Sequence, residues 1–118
     1  MNNKVKFLLY NLFGETIFVK IRTMYWIQRL KKNKFYENEI KILPIFVKPG
    51  DVCIDIGANL GQYTYPLSKL VGPKGKVFCF EPLSYNFGIL KNIVKKLKLT
   101  NVEIENLAIL DKCGEMKI

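Results

Sequence analysis

Apolar positions change their spacing at about residue 51. Upstream, Val5, Leu8, Leu9 and Leu12, and beyond Gly14 Ile17, Ile21, Met24 and Tyr25, recur three and four residues apart. That is the spacing of a helical stripe, so the start reads as one or two amphipathic helices. Arg29, Lys31, Lys32 and Lys34 close them, where cations complement the helix dipole, and Asn33 is a stop signal. A short third helix is expected over Tyr36 to Phe46, with a turn at Pro49-Gly50.

Downstream, strand and helix patterns alternate: strand 52–56, helix near 61–71, strand 76–81, helix near 85–98, strand 102–106. This predicts an α/β fold, a Rossmann-like parallel sheet in βαβαβ order preceded by helices. Each strand is nearly continuously apolar, the pattern of a sheet buried on both faces. Gly72-Pro73-Lys74-Gly75 separates the first of these helices from the second strand. Ser84 is placed to cap the next helix, with Phe87, Leu90, Val94 and Leu97 as its apolar stripe and Lys91, Lys95, Lys96 and Lys98 in solvent. Pro66 breaks the pattern, and the helix either starts late or kinks there.

The composition, 49% apolar and 25% charged over 118 residues, fits one globular unit. It divides into a basic helical segment, 1–48, and a partial sheet domain, 49–118. Charge is uneven: residues 1–48 hold ten Lys or Arg against three acids, residues 49–118 nine against seven. A solvated helix surface accounts for this excess; anionic lipid, a phosphorylated glycan or RNA are the partners it leaves open. Lys4 and Lys6 ahead of Phe7-Leu8-Leu9-Tyr10 imitate a secretion signal, but Asn11 interrupts the run and Glu15, Lys20 and Arg22 break the next. A cytoplasmic location without a transmembrane segment is the expectation. The chain has no histidine, which disfavours zinc hydrolysis and serine or cysteine triads. Cys53 and Cys79 fall in strands and Cys113 in a polar loop, without Cys-x-x-Cys spacing, so no metal or redox role is assigned.

The candidate chemistry lies at the first strand's end, in Asp55-x-Gly57-Ala58-Asn59-x-Gly61. Glycines leave backbone uncovered where a ligand must approach, and the helix start beyond aims N–H groups at the same place. Asn59 stands where a dinucleotide fingerprint has its middle glycine, so no pyrophosphate turn is built. A ligand without phosphate fits better: its amino-acid end beside Asp55, its ribose diol on Glu81 of Phe80-Glu81-Pro82. S-adenosylmethionine has that shape.

These stretches, with Pro49-Gly50-Asp51, Gln62-Tyr63-Thr64, Val71-Gly72-Pro73-Lys74-Gly75-Lys76-Val77, Leu90-Lys91-Asn92, Asn101-Val102 and Asn106-Leu107-Ala108, resemble the N-terminal half of the FkbM family of class I S-adenosylmethionine-dependent methyltransferases. The resemblance implies that Asp55, Gly57, Asn59 and Gly61, with Ala58 in the same turn, line the cofactor's methionine end. It also implies that Glu81 accepts from both ribose hydroxyls and that Asn106 to Ala108 border the adenine. The implied reaction is O-methylation of a hydroxyl on a sugar or secondary metabolite. An RNA methyltransferase and a cofactor-binding fragment without turnover are the other readings. No catalytic base is assigned: Tyr63 and Tyr65 are expected to pack, and the family's acidic Asp-x-Glu-Gly strand end has no counterpart here. The family's sheet continues on the far side of the first strand, whereas after Ala108 come only Ile109 to Gly114 and one strand opening, Glu115 to Ile118. A truncated domain with a bare strand edge is therefore expected.

Overall fold

The computed structural model describes residues 2–32 and 38–115. Asn33, Lys34, Tyr36 and most of the strand opening expected over Glu115 to Ile118 lie outside them.

Helix α1, Asn3–Lys31, is capped by Asn2, whose side-chain oxygen accepts from the Lys4 N–H at 3.1 Å. It is two helical runs joined at Gly14, whose φ of 74° and ψ of 171° are not helical. Tyr10 and Phe18 meet edge-on across this break, ring centroids 5.8 Å apart. Helix α2 spans Asn38–Phe46. Then follow β1, Val52–Ile56; α3, Thr64–Val71; β2, Lys76–Phe80; α4, Ser84–Lys96; and β3, Val102–Glu105. The late start of α3 resolves Pro66: it falls in the first turn, where backbone N–H groups have no intrahelical acceptor to lose. Ser84 does not cap α4. Leu83 holds that position, and the Ser84 hydroxyl donates to Asn106 Oδ1 at 3.2 Å.

The strands pair in parallel in the order β1-β2-β3, with Asp55 opposite Cys79, and Val77 opposite Val102. Consecutive right-handed crossovers running in one direction put both helices on one face. There Val77, Cys79 and Val102 are buried with Leu67 and Val71 of α3 and Leu90 of α4. A second cluster joins α1 to α4 through Ile27, Leu30, Leu60, Ile89 and Ile93, so the later run of α1 shares a core with the sheet domain.

The other face departs from the expectation of double burial. Val52, Ile54 and Ile56 remain 67%, 64% and 62% exposed. Phe78 and Phe80 lie on the same side by register, since paired residues share a face. No described helix covers that side, and β1 forms the expected edge.

Candidate functional site

The turn after β1 is fastened to β2 by its own backbone. The N–H groups of Gly57 and Ala58 both donate to the Phe80 carbonyl, at 2.8 and 3.0 Å. Gly57 has φ +75° and no atom within 4 Å of where a Cβ would stand, so its backbone faces open space. Asn59 is left-handed, φ 51°, and its N–H donates to Glu81 Oε2 at 2.8 Å.

Glu81 is 4% exposed. Its other oxygen, Oε1, accepts from the Leu83 N–H at 3.0 Å, so two backbone donors compensate the burial of its charge. A carboxylate offers about four acceptor directions. Two are used by these bonds, which leaves capacity for a diol.

Asp55, on β1, is 8% exposed and accepts from the Thr64 hydroxyl at 2.6 Å. The acid therefore holds the first residue of α3, where negative charge also suits the helix dipole. Burial pushes its carboxyl above the ordinary 3.8; hydrogen bonds from Thr64 oppose the shift and the Glu81 charge adds to it. The two acids thus stand at the same end of the sheet and sense each other's charge. Cys79 lies 3.4 Å from the Thr64 hydroxyl, and burial pushes its thiol to about 12. Thr64 is the component that sequence reasoning did not single out. Its signal is a small hydroxyl at a helix start, nine residues beyond a strand acid.

The remaining expected residues are placed differently from one another. Gly61 is buried, and a Cβ there would meet Leu90 Cδ1 at 3.2 Å. Its bareness admits a core side chain, which corrects the expectation of uncovered backbone at that position. Ala58 buries its side chain in the core. Tyr63 and Tyr65 are partly buried against it, as expected. Asn106 ties the end of β3 to the segment after β2: its amide donates to the carbonyls of Glu81 and Pro82 at 2.8 and 3.0 Å. Asn106 and Ala108, with Pro82, Ser84 and Leu107, line an open cavity of about 740 Å³. Among the described residues no group of His, Cys, Asp and Glu could hold a metal, and no helix is long and apolar enough to cross a membrane.

No protein-family model matches the chain. It is 34% identical over 80 residues to the ribosomal RNA small subunit methyltransferase G of Lactobacillus acidophilus, a match covering 58% of this chain and 33% of that protein. Among solved structures it is similar to a SAM-dependent methyltransferase from Aquifex aeolicus, with 31% identity, TM-score 0.54, and coverage of 72% of this chain and 47% of that one. A SAM-dependent O-methyltransferase from Thermotoga maritima aligns with 26% identity and TM-score 0.58, over 70% and 34% of the two chains. A candidate rRNA methylase from Clostridium thermocellum aligns with 26% identity and TM-score 0.57, over 60% and 39%. The chain spans about a third of the curated relative it matches. Its α/β fold is the Rossmann-like fold of class I methyltransferases, present in part.

Proposed function

We propose that this chain binds S-adenosylmethionine at the β1–α3 turn and forms the cofactor-holding part of a methyltransferase. The observation that carries the reading is Glu81: a buried carboxylate, fixed by two backbone N–H groups, with acceptor capacity left beside the open turn at Gly57. The relatives named for S-adenosylmethionine-dependent methylation support the same cofactor. Its sulfonium supplies an electrophilic methyl group. The chain's own residues bind and orient: Glu81 takes the ribose hydroxyls, Gly57 and Asn59 border the methionine end with Asp55, and the Asn106–Ala108 edge borders the adenine. Asp55 does this in addition to holding Thr64.

For the acceptor, the motif resemblance to the FkbM family supports a hydroxyl of a sugar or secondary metabolite. The similarity to an rRNA methyltransferase supports RNA as the second reading. Calorimetric titration with S-adenosylmethionine tests the donor site. Glu81→Gln is expected to weaken binding about 30-fold, the scale of losing charge-assisted hydrogen bonds. Absence of binding by the unaltered chain, or equal affinity in the variant, would overturn the reading.

A further inference from the structure

The run of α1 before Gly14 is helical without a core. Of the eleven residues 3–13, seven are apolar or aromatic. Yet no residue from 2 to 17 is buried, and only Lys6 and Leu9 among them are half-buried. Phe7 is 70% exposed and Leu12 64%. Val5, Leu8 and Leu12 recur at three and four residues, one stripe of a helix, and all three are exposed. A helix shorter than about 12 to 15 residues is marginal in water unless packing holds it. This run is of that length, so its pattern suits an apolar phase outside the fold described above.

Charge says which phase. Residues 2–32 hold seven Lys or Arg against one acid, Glu15, and Lys4, Lys20, Lys31 and Lys32 are exposed. Lys4 stands one turn before Leu8 and borders the stripe. An exposed apolar stripe on a basic helix matches an anionic lipid surface, where the acyl boundary takes the apolar side chains and the headgroup charge draws the cations. Length agrees with lying on a bilayer rather than crossing it. Eleven helical residues span about 16 Å, roughly half of a hydrocarbon core, and no described helix is long and apolar enough to cross.

We propose that residues 3–13 dock this chain on an anionic bilayer surface, with Val5, Leu8 and Leu12 in the acyl boundary and Lys4 at the lipid phosphates. Two other occupants suit the surface less well. A second copy would bring the same basic helix against itself, which like charges oppose. RNA would answer the cations and leave the aliphatic stripe in water. The docking needs neither the donor site nor any particular methyl acceptor.

Co-sedimentation of the full chain with vesicles of phosphatidylcholine and phosphatidylserine in equal parts, beside pure phosphatidylcholine, tests this. Binding to the mixed vesicles is expected to be at least tenfold tighter and to weaken with added salt. Leu8→Gln with Leu12→Gln is expected to lower it at least tenfold, the scale of losing two apolar side chains from the interface. Lys4→Gln with Lys20→Gln is expected to lower it about fivefold or more. Ile54→Ser, on the open face of the sheet, is expected to change it less than twofold. The leucine variant is expected to melt with the unaltered chain, because neither side chain is buried. Failure to bind the mixed vesicles, affinity undiminished in both double variants, or loss that follows Ile54→Ser instead would overturn the proposal. A lowered melt in the leucine variant would assign the stripe to packing within the fold. A dimer in sedimentation velocity that the leucine variant dissolves would assign it to a second copy, and displacement from vesicles by a ten-nucleotide RNA at lower concentration than the lipid would assign the charge to nucleic acid. Each of these three results also overturns the proposal.

Discussion

The two faces of the three-stranded sheet are made from the same strands and have opposite surroundings. On one, Val77 and Cys79 are sealed beneath α3 and α4; on the other, Val52, Ile54 and Ile56 stand in solvent although they are as apolar. The difference shows that burial here follows from topology rather than from side-chain character. Both crossovers lie on one side, so alternate residues of one strand are divided between a packed core and an open surface.

The largest expected effect belongs to the packed side. Leu90→Ala should cost about 3 kcal/mol of stability in a denaturant melt, whereas Ile54→Ser should cost under about 0.5. Equal losses would mean that the open face is covered in solution, and would end the distinction between the faces.

Asp55 sharpens the comparison by pH. Its carboxyl is raised above the ordinary 3.8 chiefly by burial, so the folded state binds its proton more tightly than the unfolded chain does. The stability from this group is fully present below 3.8 and is lost as pH rises through the folded-state value. Asp55→Asn, which cannot ionise, should therefore melt higher than the unaltered chain at pH 7, with the gap closing below pH 3.8. A gap that widens on acidification would contradict the burial argument.

Thiol labelling ranks the surroundings chemically. Cys113 is exposed and should react at once, half-buried Cys53 more slowly, and Cys79, its thiol at about 12, only when the chain unfolds. The smallest effect is expected on the open side, where Lys76 and Glu103 pair at 2.6 Å with substantial exposure. Glu103→Gln should cost about 0.5 kcal/mol or less, and added salt should erase the loss.

Much of this arrangement was legible in the residue pattern. The short apolar runs and the Gly72-Pro73 break locate the strands within a residue, because strand boundaries there coincide with turn residues. Asp55, Asn59 and Glu81 come together because parallel neighbours bring successive strand ends to one edge. The helix stripe was read only in part. Ile89 and Ile93 of α4 are buried against α1, a contact whose partner lies some sixty residues away and leaves no local trace. Ser84 has an N-cap residue's chemistry, yet Asn106 claims its hydroxyl, a choice made by tertiary approach. Gly61 looks like Gly57 in sequence, and only the position of Leu90 tells a packing glycine from an open one. The meeting of Arg22 with the Tyr85 ring is equally nonlocal: charge counting registered the basic excess without showing which elements its members join.

The flank of β1 that no described strand pairs has a further consequence for time rather than for shape. A strand held by one neighbour opens more readily than one held by two, so β1 amides should exchange with deuterium faster than those of β2. Asp55 rides on that strand. An adenosyl ligand spanning Asp55 on β1 and Glu81 beyond β2 would act as a clasp between them, and slowed exchange along β1 would record its arrival.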